Sequence, residues 1–156
     1  MSDTMTAPAT APLRTRRPTL AEQSTELRLA VMRVARRLRQ ERADTDISAT
    51  QLAALGWIAS EGPITLGRIA ELERVTPPSM NRTVNRLVDA GYVTREGSPD
   101  DGRKVLLRTT EAGAAIVRET RRRRDAWIAK RFSALSPDER ETLAKATTIL
   151  GRLADQ

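Results

Sequence analysis

One side of the segment Thr76–Gly91 carries amide, hydroxyl and guanidinium groups at the spacing of a helix surface. These polar side chains are Ser79, Arg82, Asn85, Arg86 and Asp89, with Asn81 and Thr83 on the flanks. Asparagine can form two hydrogen bonds with the edge of an adenine, and arginine can form two with a guanine, in the major groove of DNA. The chemistry that this surface could perform is therefore recognition of base edges. An ordinary solvated helix face is the alternative.

A second group of charged side chains lies in the turn Gly97–Gly102 and just after it. Glycine, proline and aspartate are dense here, and the flanking segments Tyr92–Arg95 and Lys104–Thr110 are predicted to be two strands. Asp101 stands two residues before Arg103 and can hold its guanidinium in one direction by a bidentate ion pair. An arginine aimed in this way suits the narrow minor groove, whose negative potential attracts it. A salt bridge within the loop, without a role in DNA binding, is the alternative.

The segment Thr76–Gly91 is predicted to be the second helix of a helix-turn-helix. Thr76 is a suitable N-cap, and Pro77 suits the first helical position, where its missing N–H is not needed. The glycine at the end of the segment can adopt the left-handed conformation that terminates a helix. The apolar side of this helix consists of Met80, Val84, Leu87 and Val88. The first helix of the pair is predicted over Leu66–Arg74, after a brief strand at Ile64–Thr65.

Two helices are predicted before this unit. The first, Leu20–Arg42, has one apolar stripe, which must be buried against other helices. The stripe consists of Leu27, Val31, Val34 and Leu38. The second begins at a capping box, Ser48–Gln51, and ends at Gly62, which is followed by proline.

Two more helices are predicted in the C-terminal part. One begins at its cap Thr110 and runs to about Leu135, and a second capping box, Ser136–Glu139, begins the other. Apolar residues recur twice per heptad along the last helix, at Leu143, Ala146, Leu150 and Leu153. This seam, like the stripe of the first helix, favours dimerisation, and packing within one chain is the alternative. The four consecutive arginines Arg121–Arg124 favour solvation and ion pairing over contact with DNA.

The composition narrows the class of protein. The 156 residues carry a net charge of +7, which favours a polyanionic partner such as nucleic acid. Because hydrophobic residues make up 39% and aromatic residues only 3%, a mainly α (α+β) fold with an aliphatic core is expected. The chain has no Cys and no His, so no catalytic residue, metal site or cofactor is predicted. No apolar run is long enough to cross a bilayer and no signal peptide is recognised, so a cytoplasmic protein is expected.

The order of predicted elements resembles the MarR family of bacterial winged-helix regulators, from about Leu20 to the C-terminus. The most specific motif is Asp101-Gly-Arg103-Lys-Val-Leu-Leu-Arg-Thr109-Thr110, which is similar to the wing signature of that family. Thr109 stands where the family usually has leucine, a departure that concerns packing more than DNA contact. The stretch from Pro78 to Val93 is similar to the family's recognition helix and the turn after it.

The resemblance implies a homodimer whose dimer region combines the first helix and the last two helices. It implies binding of double-stranded promoter DNA at an inverted repeat, with Arg103 entering the minor groove. Together with the spacing above, it predicts DNA contacts from Ser79, Asn81, Arg82, Asn85, Arg86, Arg95, Arg103 and Lys104, with Asp101 orienting the wing. In many members a small lipophilic molecule releases the DNA, although no motif assigns its site. Met32, Trp57 and Trp127 could line such a cleft, and core packing is the alternative.

The predicted organisation is an N-terminal arm at 1–19, a dimerisation helix at 20–44, a winged helix-turn-helix domain at 45–110 and dimerisation helices at 111–156. The predicted function is a sequence-specific, dimeric transcriptional regulator, a repressor that covers promoter DNA. A non-specific architectural DNA-binding protein is the alternative. Activation instead of repression stays open because it depends on promoter geometry. An enzyme is not expected, because no stretch places a nucleophile beside a base.

Overall fold

The computed structural model describes residues 16–99 and 104–154. Within these ranges the elements are α1 (Leu20–Gln40), α2 (Ala49–Glu61), β1 (Ile64–Thr65), α3 (Leu66–Leu72), α4 (Pro77–Asp89), β2 (Val93–Gly97), β3 (Val105–Thr109), α5 (Glu111–Phe132) and α6 (Pro137–Ala154). The predicted mainly α winged-helix fold is confirmed. The predicted turn residues 100–103 and most of the predicted arm lie outside the described residues.

The chain divides into two compact units, with the boundary between Ala35 and Arg36. The first unit contains the N-terminal part of α1, which begins with a capping box that was not predicted from the sequence. The Thr19 hydroxyl accepts from the Glu22 backbone N–H at 3.3 Å, and the Glu22 carboxylate accepts from the Thr19 backbone N–H at 2.6 Å. This second hydrogen bond is the largest cause of a lowered pKa for the Glu22 carboxyl.

The core of the second unit joins α2, α3, α4 and the sheet. Its largest fully buried side chains are Leu55, Ile58, Ile69, Met80, Val84, Leu87, Val93 and Leu107. The buried residues of α4 recur every three or four positions, so one side of this helix faces the core and the other faces solvent. α5 adds Val117 to the same core, whereas neither α1 nor α6 has a buried residue.

The helices α2, α4 and α5 begin at the N-cap residues that the sequence predicts, and in two of them the cap makes hydrogen bonds. The Ser48 N–H donates to the Gln51 side chain at 2.6 Å and the Gln51 N–H to the Ser48 hydroxyl at 3.2 Å, so the capping box of α2 is confirmed. The Thr110 hydroxyl caps α5 as predicted, by accepting from the Gly113 N–H at 3.1 Å. Thr76 occupies the N-cap position of α4, but its side chain makes no capping hydrogen bond. The two prolines that follow it lack the N–H groups that begin most helices, so fewer donors are left to cap.

Two helices end earlier than predicted, and a third begins where it was predicted to begin. α3 ends at Leu72 and not at Arg74, because Arg74 adopts the left-handed backbone conformation with φ of 53°. α5 also ends slightly before its predicted end. The capping box of α6 is confirmed, since the Ser136 N–H donates to the Glu139 carboxylate at 2.8 Å and the Ser136 hydroxyl accepts from the Glu139 N–H at 3.2 Å.

The three strands form an antiparallel sheet in the order β1-β3-β2. Leu107 of β3 is buried and pairs with Ile64 on one side and with Arg95 on the other. β2 starts one residue later than predicted and continues to Gly97. The hairpin of β2 and β3 is therefore anchored to the core through Val93 and Leu107.

The end of α4 and the start of α5 meet at one close contact. Gly91 has a φ of 74°, as predicted for a glycine that ends a helix. The Thr110 hydroxyl donates to the Gly91 carbonyl at 2.8 Å, and the Thr110 N–H donates to the Tyr92 carbonyl at 3.0 Å. A Cβ atom on Gly113 would overlap the Tyr92 carbonyl oxygen. A glycine at this position therefore lets α5 pack directly on the turn after α4.

The arginine run of α5 is partly neutralised by its own helix. Arg122 and Arg123 pair with Glu119 at 2.8 and 2.7 Å, so the ion pairing predicted for this run is present. These hydrogen bonds, that of Arg122 first, lower the pKa of the Glu119 carboxyl from about 4.5 to about 2. The neighbouring Thr120 is buried and its hydroxyl accepts from the Ala43 N–H at 3.1 Å.

Two arginines of the run also bind the C-terminal end of α1. Arg123 donates to the carbonyl of Arg42 at 3.0 Å, and Arg124 donates to the carbonyls of Leu38 and Glu41 at 3.2 and 3.3 Å. Carbonyl groups at the end of a helix lack helical donors and carry partial negative charge, so guanidinium groups stabilise them. This contact was not predicted from the sequence.

Candidate nucleic-acid interface

The outward side of α4 displays the polar residues that the sequence places there. Asn81, Arg82, Asn85 and Arg86 are exposed, and Ser79 is half-buried in the first turn. The opposite side is held by fully buried apolar residues, so the outward direction of these side chains is determined by the core. Within the described ranges neither of the two arginines has an ion-pair partner. The contacts of these five residues with DNA stay predictions.

The structure brings Arg95 of β2 onto the same surface. Its Nη2 atom donates to the side-chain oxygen of Asn81 at 3.0 Å and to that of Asn85 at 2.6 Å. All three residues are exposed, and the two asparagines are one helical turn apart. Arg95 was predicted from the sequence to contact DNA, but its link to the two asparagines was not. The only signal in the sequence is the pair of amides spaced four residues apart on one side of a helix.

A polar cleft of about 370 Å³ lies between the start of α2 and the side of α4. It is lined by Ser48, Thr50, Gln51, Ser79, Arg82, Thr83 and Arg86. Thr50 and Gln51 were not predicted as parts of the candidate surface, and Thr83 was predicted at its flank. Their small polar side chains beside two guanidinium groups extend the hydrogen-bonding surface from α4 to α2.

The wing adds further charge next to α4. Lys104 is exposed before β3, and Arg108 of β3 pairs with Glu96 of β2 at 2.7 Å. Asp101 and Arg103 lie outside the described residues. The orienting role of Asp101 and the minor-groove contact of Arg103 therefore stay predictions.

A cleft of about 430 Å³ lies between the end of α1, α2 and α5. Leu52, Ala53, Gly56, Trp57 and Val117 contribute its apolar wall. Its other lining residues include four arginines, namely Arg39, Arg42, Arg121 and Arg124. An apolar wall with guanidinium groups at its rim suits a small molecule with an apolar body and a negative charge.

The three predicted ligand residues lie in different places. Trp57 lines the cleft just described, and its indole Nε1 donates to the Glu73 carboxylate at 2.5 Å. Trp127 lines a second, more open cleft of about 850 Å³, and Arg131 lies 3.5 Å above its ring centre. Met32 is 56% exposed in the N-terminal part of α1, where its sulfur accepts from Arg28 at 3.7 Å. Contact of these residues with a ligand stays a prediction.

Other kinds of site find no support in the described part of the chain. No group of three or more His, Cys, Asp or Glu side chains there could hold a metal ion. Nor does any helix within that part have the length and apolar character needed to span a bilayer.

Known proteins are similar to this chain in both sequence and fold. A family model described as the MarR family matches residues 45–104. An uncharacterised HTH-type transcriptional regulator of Mycobacterium leprae is 42% identical over 136 residues, which are 87% of this chain and 95% of that protein.

Solved structures extend the similarity to the whole helical framework. A crystal structure from Mycobacterium tuberculosis covers 93% of this chain and 97% of its own, with 28% identity and a TM-score of 0.77. FabT of Streptococcus pneumoniae, solved in complex with DNA, covers 87% of this chain and 95% of its own, with 24% identity and a TM-score of 0.69. At that identity the second match supports the fold alone.

Proposed function

Since this chain belongs to the MarR family of DNA-binding transcriptional regulators, we propose that it is a repressor that binds an inverted-repeat operator as a homodimer. The observation that carries this proposal is the division of α4 into a buried apolar side and an exposed side of amide and guanidinium groups. A helix of this kind fits the major groove, where Arg86 and Arg82 can each form two hydrogen bonds with a guanine.

A second copy of the chain would cover the apolar surface that α1 and α6 expose. At least 38% of each of these side chains is exposed: Leu27, Val31, Val34, Leu143, Ile149, Leu150 and Leu153. Burial of one such side chain contributes about 1.5–3 kcal/mol. In addition, the buried Nε1 of Trp127 has no acceptor in the part of the chain that the structure describes. Because an unsatisfied buried donor costs about 1–3 kcal/mol, an acceptor from a partner chain would add stability.

A symmetric dimer presents two copies of α4 to one face of the duplex. Two-fold symmetry then predicts half-sites about 10 bp apart, centre to centre. The wing would follow the flanking backbone, with Lys104 near phosphate and Arg103 in the minor groove. FabT, which shares this fold, was solved in complex with DNA, and this supports DNA as the partner. Repression would follow because a bound dimer covers promoter DNA, so its proposed place of action is the bacterial cytoplasm.

The cleft between the end of α1, α2 and α5 is the proposed site of an effector. The four arginines of its lining favour an anionic, partly apolar ligand over a neutral one. Two of them lie on α5, and one of these, Arg124, also binds the carbonyls at the end of α1. A ligand that competes for Arg124 would loosen this contact and so change the position of α4 relative to its copy in the dimer.

Selection of bound duplexes from a random pool, followed by footprinting of the strongest site, tests the proposal. We expect a palindromic site, protection by a dimer and a specific affinity on the order of 10⁻⁸ to 10⁻¹¹ M at physiological salt. A pool that shows no base preference, together with a steep dependence of affinity on salt, would instead favour the non-specific architectural protein. A preferred site bound by a monomer would contradict the dimer alone.

A further inference from the structure

Arg95 belongs to the wing strand β2, and its side chain binds the exposed side of α4. It donates to the side-chain oxygens of both Asn81 and Asn85 and therefore connects β2 with two successive turns of the helix. We propose that Arg95 is a positioning residue that determines the base preference of α4 by fixing how these two amides are turned. This inference rests on the proposed function, since it concerns the DNA contacts of the same surface.

The chemistry of the guanidinium group determines the orientation of the amides. A guanidinium group has donors and no acceptor, so only the oxygen of an asparagine amide can bind it. The oxygens of Asn81 and Asn85 must both face Arg95, and each NH₂ group then points away from it. In this arrangement α4 offers two NH₂ donors to an approaching duplex, and the oxygens are engaged within the protein.

The position of Arg95 is well determined by its strand. Arg95 pairs with Leu107 in the central strand, and Leu107 is fully buried, as is Val93 two residues before Arg95. Side chains at paired positions of antiparallel strands lie on the same face of the sheet, so Arg95 extends from the face that packs on the core. The backbone of Arg95 is therefore anchored, whereas the two exposed asparagines would otherwise rotate in solvent.

The fixed amides have a consequence for base recognition. A free asparagine can both accept from the N6 amino group of adenine and donate to its N7 atom. An asparagine whose oxygen is engaged by Arg95 reads chiefly acceptors, which are N7 of both purines, O6 of guanine and O4 of thymine. It is poorly matched to the N4 amino group of cytosine. At the positions that contact Asn81 and Asn85, we therefore expect guanine or thymine to be preferred over cytosine.

The first experiment measures the amides without DNA. Side-chain ¹⁵N relaxation of the full-length protein reports the order of the NH₂ groups of Asn81 and Asn85. We expect both to become markedly more mobile in Arg95→Ala and to stay ordered in Arg108→Ala. Arg108 is a matched control because it is an exposed arginine of the same hairpin, with its own hydrogen bond to Glu96 at 2.7 Å. Equal order in all three proteins would overturn the inference, whatever the protein binds.

The second experiment measures base preference by selection from a random duplex pool. The positions concerned are those whose preference changes in Asn81→Ala or Asn85→Ala. There we expect the preference of guanine or thymine over cytosine to fall about tenfold in Arg95→Ala, within the range for loss of one good base contact. Arg108→Ala should keep the preference of the wild-type protein.

The other outcomes separate this inference from the proposed function. If Arg95→Ala weakens binding to all sequences alike, the residue acts only by its charge or on stability, and the inference is wrong. If the wild-type protein is selective but the asparagine variants change no position, the inference fails and the proposed function stands. If the wild-type protein has no base preference at all, the proposed function fails and the inference fails with it.

Discussion

The winged helix-turn-helix buries its apolar residues, whereas the helices α1 and α6 leave theirs exposed. In the former, α2, α3, α4 and the sheet bury their apolar residues against one another, so this part completes its core within one chain. α1 and α6 have equally regular apolar positions, yet neither has a buried residue. An apolar stripe contributes to stability only when something covers it. In the proposed dimer, a second copy of the chain would supply that cover for α1 and α6.

The largest effect is expected from a charge in the apolar seam of α6. Leu150→Glu removes two buried leucines from a symmetric dimer, so the free energy of association should fall by about 3–6 kcal/mol. Analytical ultracentrifugation should then find monomers at concentrations where the wild-type protein is dimeric. Thr148→Glu is the matched control, because Thr148 lies on the other side of α6 and is exposed. A dimer that persists in Leu150→Glu would show that α6 does not supply the interface.

The next effect concerns the winged helix-turn-helix itself. Gly113→Ala would place a Cβ atom against the Tyr92 carbonyl oxygen, which is backbone and cannot move aside cheaply. We expect the free energy of unfolding in urea to fall by about 3 kcal/mol, the upper part of the range for overpacking. Gly67→Ala is the control, since a Cβ atom there meets no other atom within 4 Å. Equal stability of the two variants would mean that α5 does not pack closely on the turn after α4.

A smaller effect on binding is expected from the exposed side of α4. Arg86→Ala should lower the affinity for the selected operator by about 1–3 kcal/mol and relax the preference at one base position. Folding should be unaffected because Arg86 is exposed. Arg68→Ala in α3 removes another exposed arginine and should leave base preference unchanged. Titration of operator variants in a gel shift would contradict the prediction if Arg86→Ala kept full discrimination at every position.

The smallest effect is expected from the pH dependence of stability. The pKa of Glu119 is lowered to about 2, chiefly by its hydrogen bond with Arg122 and then by that with Arg123. A carboxyl whose folded pKa is depressed stabilises the protein fully above its unfolded pKa, and this stabilisation is lost as the pH falls from about 4.5 towards 2. Glu119→Gln should therefore flatten the fall in unfolding free energy over this window. Arg122→Gln should flatten it in the same direction, and an unchanged slope in both variants would contradict the role of the pair.

Much of the framework could be predicted from the sequence because its signals are local. The boxes at Ser48 and Ser136 and the cap at Thr110 join residues three positions apart, so the residue types alone indicate them. The two sides of α4 likewise follow from helical periodicity. The N-cap at Thr76 was only half right, since two prolines remove donors that a side chain could cap.

The candidate site was less predictable. The sequence indicated which residues of α4 face outward, but not that Arg95 binds two of them, because the partners are 10 and 14 positions apart. Met32, Trp57 and Trp127 were predicted to line one ligand cleft, but they lie in three different places. Of the three, only Trp57 lines the cleft with the four arginines, which come from two separate parts of the chain, the end of α1 and α5.

The sequence by itself determined where helices start, which residues of α4 are polar, and the excess of positive charge, because these depend on neighbours within one or two turns. Only the tertiary structure decided the partners of the arginines. Arg123 and Arg124 bind carbonyls more than 80 positions away, and Gly113 is required by the backbone of Tyr92. Such contacts depend on how helices and strands pack, and a guanidinium group can bind any carbonyl or amide oxygen that packing brings within reach.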